Sequence, residues 1–125
     1  MNFISSSEKI EHMFEKYFQK TVCLTVKNEI LKKGKFLLIR NHVVGNNYFF
    51  ELIIERSKKI DTMKIPYPFA VEEYPDENLV FIDYRISTLC NNDKSLVTSI
   101  QNWIKLVDIK TPNKLVDNIL EIKFE

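Results

Sequence analysis

The sequence predicts one α+β domain with an N-terminal helix, an antiparallel β-meander of about five strands, two C-terminal helices and a short last strand. Three observations predict it. Apolar residues recur at helical spacing near both ends of the chain and alternate with polar ones in between. Gly34 and Gly45 punctuate the alternating stretch where turns are needed. A length of 125 residues with 45% hydrophobic content suits one domain that buries its own core.

The first helix is expected over Ser7–Gln19, with Ser5 and Glu8 at capping-box spacing. Ile10, Met13, Phe14, Tyr17 and Phe18 share one face. The period then changes to two, and Val22, Leu24 and Val26 alternate with Cys23, Thr25 and Lys27. A turn at Lys32–Lys35 leads to a strand over Phe36–Val44, and a turn at Gly45–Asn47 to a strand over Tyr48–Arg56. In that register Leu37, Ile39 and Val43 join Tyr48, Phe50, Leu52 and Ile54 on one apolar face, and Arg40 stands opposite Glu51. The reverse face keeps Phe36, Leu38, Phe49 and Ile53, an oily patch expected to meet a helix or a partner.

Ile60–Ile65 reads as an edge strand that Pro66 and Pro68 stop. Pro66–Pro75 reads as an irregular loop, Asp76–Asn78 as a turn and Leu79–Ser87 as a strand. Asn92 or Asp93 caps a helix over Lys94–Val107 with Leu96, Ile100, Trp103, Ile104 and Val107 as its stripe. Thr111-Pro112 opens a second helix with Leu115, Val116, Ile119 and Leu120 inward, and Ile122 and Phe124 form the last strand.

Composition excludes several function classes. A net charge of +1 lacks the overall basic excess of a dedicated DNA binder. Two glycines cannot build a GxGxxG or GxxxxGK[ST] phosphate cradle, so no nucleotide cofactor is expected. Cys23 and Cys90, far apart and without CxxC spacing, read as free thiols of a reducing compartment. The first residues lack the basic and apolar regions of a signal peptide, and no apolar run nears the roughly 20 residues of a membrane span, so a cytoplasmic protein is expected. The excess of lysine over arginine, with abundant Ile, Asn and Phe, suits the AT-rich genome of a phage or a low-GC bacterium.

Five constellations bear on chemistry. Cys23 and His42 share a face in the proposed register, roughly 7–8 Å apart, as a thiol–imidazole nucleophile would require. Two cysteines with His12 and His42 could ligate zinc, but all four are isolated, so no metal is expected. Asp76, Asp83 and Arg85 faintly imitate a divalent-metal nuclease, with arginine where a lysine belongs. Lys32, Lys33 and Lys35, with Arg56, Lys58 and Lys59, put two basic clusters at one end of the meander, where they could hold nucleic acid. Tyr67, Phe69 and Tyr74, stiffened by prolines and flanked by Glu72 and Glu73, resemble the aromatic anchors of a protein interface. The sequence therefore points to a non-enzymatic protein-binding module, such as an accessory or immunity-like inhibitory protein of a phage or bacterium, which could self-associate through the free sheet face. Nucleic-acid binding and metal-dependent nuclease activity are its alternatives.

Overall fold

The computed structural model describes residues 2–3, 7–45, 47–89, 96–107 and 115–125. Its elements in chain order are β1 (Asn2–Phe3), α1 (Ser7–Glu15), β2 (Thr21–Val26), β3 (Glu29–Val44), β4 (Asn47–Arg56), β5 (Lys59–Pro66) and β6 (Ala70–Tyr74). A 3-10 turn (Pro75–Glu77), β7 (Leu79–Asp83), α2 (Arg85–Leu89), α3 (Leu96–Val107) and β8 (Ile119–Phe124) follow. The architecture is the predicted α+β one, with more strands. All eight strands form one antiparallel sheet in the order β1-β6-β7-β8-β2-β3-β4-β5.

The first hairpin turns earlier than predicted. Lys27 and Asn28 both have positive φ, 51° and 65°, the two-residue turn that matches strand twist. Lys32–Lys35 consequently lies within β3 and forms no hairpin tip. Gly34 has a different use there. A Cβ at this position would sit 2.6 Å from the Glu55 carbonyl oxygen, so the missing side chain lets β4 come close. Ser57 and Lys58, with φ of 51° and 65°, repeat the same turn between β4 and β5.

A bulge corrects the second expectation. The β3–β4 register slips between Phe36 and Leu38, so two apolar residues of opposite predicted faces end up on the same side. Phe36 and Ile39 both enter the core, and Leu38 turns outward. Beyond the bulge Arg40 pairs with Glu51 as expected. The predicted oily patch is thereby dispersed. Phe36 is core, Ile53 is buried, Phe49 is half-buried against His42, and of the four only Leu38 is exposed.

Other boundaries differ for local reasons. The segment expected as an irregular loop contains β6, which pairs with both β1 and β7. The strand expected to reach Ser87 ends at Asp83, where the carboxylate accepts the Arg85 amide and starts α2. Ile119 and Leu120, expected on a helix, begin β8. Ile104, expected in an apolar stripe, is 49% exposed, whereas Trp103 is buried. The predicted caps at Ser5, Asn92 and Asp93 and the Thr111-Pro112 helix start lie outside the described residues.

Chain connectivity forces the sheet to curl. β5 lies at one edge and β6 six strand spacings away, about 29 Å in a flat sheet. Only Tyr67, Pro68 and Phe69 join them, and that link reaches at most about 14 Å. The concave face so created holds α1 and the turn after it, and Ile10, Phe14 and Tyr17 are at most 2% exposed. Tyr17 stacks on Phe124 at 3.9 Å, and Phe14 packs against Phe36 at 5.9 Å. The helix stops at Glu15, and Gln19 takes a positive φ of 69° to enter the sheet. Phe18, predicted on the apolar face, is thrown outward and is 56% exposed. Among the described residues no helix is long and apolar enough to cross a membrane.

The close approach at Gly34 makes a direct test. Gly34→Ala must displace the β4 backbone and is expected to cost about 1–3 kcal/mol. Urea denaturation of the variant beside the wild type checks this, and an unchanged midpoint would refute the close approach.

Candidate functional site

The candidate site grows from a mismatch of strand lengths. β3 has 16 residues and β2 only six. The β2 ladder ends where Thr21 pairs with Lys35, extended by Phe36 bonding to Gln19 and Lys20. β4 pairs with the other edge of β3 from Lys35 to Val44. From Leu37 onward, β3 therefore has one edge that no strand covers among the described residues.

The hairpin determines which groups face that edge. Val44 pairs with Asn47 across a two-residue loop, so Leu38, Arg40, His42 and Val44 point their amides and carbonyls toward β4. Ile39, Asn41 and Val43 point theirs away. The Asn41 N–H shows this directly, since it donates to Glu11 Oε1 of α1 at 3.0 Å. A carboxylate thus stands where a neighbouring strand would place a carbonyl. Ile39 is 3% exposed, and the ladder leaves its amide and carbonyl with no strand partner among the described residues.

Between this edge and α1 lies a groove of about 510 Å³. Phe14, Phe36 and Ile39 floor it, all of them core residues. Phe18 and Leu38 form its lips, 56% and 44% exposed, so apolar surface continues from the floor to the rim. Glu11 and Glu15 line the helix side, and Arg40 lines the strand side. Arg40 also reaches Glu51 at 3.4 Å. The arrangement can take up an apolar side chain, bond a polypeptide backbone and meet a cation.

Comparison with protein-family models, curated proteins and solved structures finds no match.

The residues read from the sequence as an interface fall elsewhere. Phe69 is fully buried and packs on Phe50 at 5.2 Å. Tyr67 is half-buried, edge-on to Tyr48 at 4.8 Å, and burial raises its phenol pKa. Glu73 accepts the Tyr17 hydroxyl at 2.7 Å and pairs with Lys16 at 2.5 Å. Burial, then the Glu73 hydrogen bond, pushes the Tyr17 phenol well above its usual range. Glu72 alternates to the opposite face of β6 from Glu73, and Tyr74 at its end is 39% exposed with its ring edge-on to Phe81. The five therefore form no single surface patch.

The basic residues are partly engaged. Lys32 and Arg56 converge on Asp61, at 2.9 and 3.1 Å, while Lys33, Lys35, Lys58 and Lys59 stay mostly exposed. The Asp61 side chain also accepts the Thr62 N–H at 2.9 Å, and Lys32 donates to the Thr62 carbonyl at 2.8 Å. Both outward backbone groups of Thr62 on the edge strand β5 are thus satisfied by charged side chains, a known way of blunting a sheet edge.

Cys90 lies outside the described residues, and among the described ones the nucleophile and metal constellations do not assemble. Cys23 pairs with Lys33, nine residues from His42 along β3, so roughly 30 Å separates them. The earlier hairpin turn is the cause. Among the described residues no three metal-binding side chains cluster. Asp76 and Asp83 lie at opposite ends of β7. Asp83 is completely buried, with its oxygens taken by Arg85 Nε at 2.9 and 3.1 Å, Arg85 Nη2 at 2.5 Å and Trp103 Nε1 at 2.7 Å. It pins α2 and α3 to the sheet.

Sequence reasoning missed the groove because it depends on Phe18, Leu38 and Glu11 being brought together by the hairpin and the helix end. The one legible signal was Asn28, a residue that tolerates positive φ better than Lys33.

Two outcomes test these assignments. Asp83→Ala leaves the half-buried Arg85 cation unpaired and is expected to cost about 3–5 kcal/mol in urea denaturation. Near wild-type stability would show that the pair is not a clamp. Hydrogen bonds first from Lys32, then from Arg56, hold the Asp61 carboxyl below its ordinary value of 3.8. Because the folded pKa is the lower one, the stabilisation is present above the unfolded pKa and is lost as pH falls through the folded one. An NMR titration is expected to show Asp61 titrating below 3.8, with Lys32→Met shifting it upward.

Proposed function

We propose that this protein is a non-enzymatic binding module that takes up a segment of another protein in the groove between α1 and the open half of β3. One observation carries the reading: Phe18 and Leu38 remain exposed at the lips of a groove floored by core side chains. Exposed apolar groups around a cavity are what a hot spot needs, since burying them releases water around a well-packed centre. A cytoplasmic setting is part of the proposal and suits the free thiol of Cys23. An accessory or inhibitory role agrees with a module that offers a docking surface and, among its described residues, no cluster of metal ligands. Nucleic-acid binding at the basic clusters has less support, because Asp61 already holds Lys32 and Arg56.

Selection of short random displayed peptides against the protein tests the proposal. Peptides so obtained are expected to lose about tenfold or more in affinity for Phe18→Asp and for Leu38→Asp, measured by fluorescence anisotropy. Lys58→Glu, in the β4–β5 turn and outside the groove lining, is expected to leave affinity within about twofold. Binding that ignores both groove substitutions, or no groove-dependent peptide at all, would overturn the proposal.

A further inference from the structure

We infer that the occupant of the groove is an extended peptide segment that adds to the open edge of β3 and carries a basic residue toward α1. The inference rests on the groove reading above and specifies the chemistry of the partner.

The backbone dictates the extended form. Ile39, Asn41 and Val43 direct their amides and carbonyls to one side with the two-residue period of a strand. Only a polypeptide in β conformation presents donors and acceptors at that repeat. The ends of the sheet sharpen the contrast. β6 is paired with β1 at one end, and the Thr62 groups of β5 are capped by Asp61 and Lys32 at the other. At β3 a single carboxylate, Glu11, covers one amide, and the nearly buried Ile39 has no strand partner among the described residues. Buried peptide groups without partners are unfavourable, so this edge gains from an incoming strand more than the blunted one does.

The side chains dictate the rest. In strand addition, every second side chain of the peptide enters the groove, where Phe14, Phe36 and Ile39 accept an aliphatic or aromatic group. Glu11 and Glu15 line the helix side of the groove. An incoming carbonyl replaces Glu11 on the Asn41 amide and releases that carboxylate. Two carboxylates then line the helix side, Glu15 beside His12, and Arg40 on the strand side is already paired with Glu51, so a lysine or arginine is the complementary side chain.

Three sets of blocked peptides test this. In the first, leucine and lysine take turns at every second position, so that both face the groove, with threonine between them. The second scrambles the same composition into blocks, and the third replaces lysine with glutamate. The alternating lysine set is expected to bind about fivefold or more tightly than either of the others. Methylation of the one peptide nitrogen that faces the Ile39 carbonyl is expected to weaken binding about tenfold, and its neighbours much less. The Ile39 amide is expected to gain protection from hydrogen exchange when the peptide binds. Glu15→Gln is expected to narrow the preference for lysine over glutamate. Peptides that need Phe18 and Leu38 yet ignore order, charge and methylation would sink the strand inference and leave the groove reading standing. Binding that needs neither residue would sink both. A peptide-free dimer abolished by Leu38→Asp would replace the foreign segment with a second copy and overturn the inference.

Discussion

Three residues between Pro66 and Ala70 carry the chain from one side of an eight-stranded sheet to the other. A flat sheet cannot satisfy so short a link, and the remaining architecture follows from that restriction. Curling brings β2 and β8, first and last of the long meander, into register along five residue pairs. It also makes a concave face deep enough to seal a helix on one side. The buried aromatic side chains belong to this geometry. Phe50, Phe69 and Tyr67 pack at the closing link, and Phe14, Tyr17, Phe36 and Phe124 pack where α1 lies in the hollow.

How much of this the sequence could reveal depends on the range of the interaction. Alternation in Thr21–Val26 and around Gly45 was legible because strand period and turn chemistry are local. The Arg40–Glu51 pair followed from the second hairpin alone, so it survived the error in the first. Gly34 misled because glycine serves two purposes, turning a chain and admitting a neighbouring backbone, and only the neighbour tells them apart. Phe36 misled because a bulge inverts the face of every residue on one side of it, and nothing local in Phe36–Leu38 announces an inserted residue. The burial of Phe69, within the five residues read as an interface at Tyr67–Tyr74, was not legible for a related reason. Aromatic residues near prolines suit a docking loop and a core plug equally, and here curling of the sheet turns Phe69 inward.

The same distinction applies to charge. Asp83 and Arg85 looked like part of a metal site from sequence, yet burial changes what a carboxylate can do. In a dry setting, an unpaired Asp83 would be strongly unfavourable, and the guanidinium fork plus the Trp103 indole satisfies it. A carboxylate so completely engaged is a fastening, and its two donors come from α2 and α3, the elements that need holding to the strand end.

The edges of the sheet obey a common rule. Every strand edge exposes peptide groups that must bond to something, and the protein meets that demand differently at each place. At one end a two-residue strand suffices. At the other, Lys32 and Asp61 form a charged cap that would be difficult for another strand to displace, because both are tied to each other and Asp61 also to Arg56. Among the described residues the open half of β3 is covered lightly, with one bond from Asn41 to a glutamate on a helix that ends one turn later. A single charge-assisted bond contributes only about 1.5–3 kcal/mol, which a short run of strand pairing can match. The curl that seals the core on one side thus leaves, where β2 runs out, a half-strand that no strand covers among the described residues, its Asn41 amide held by a side chain.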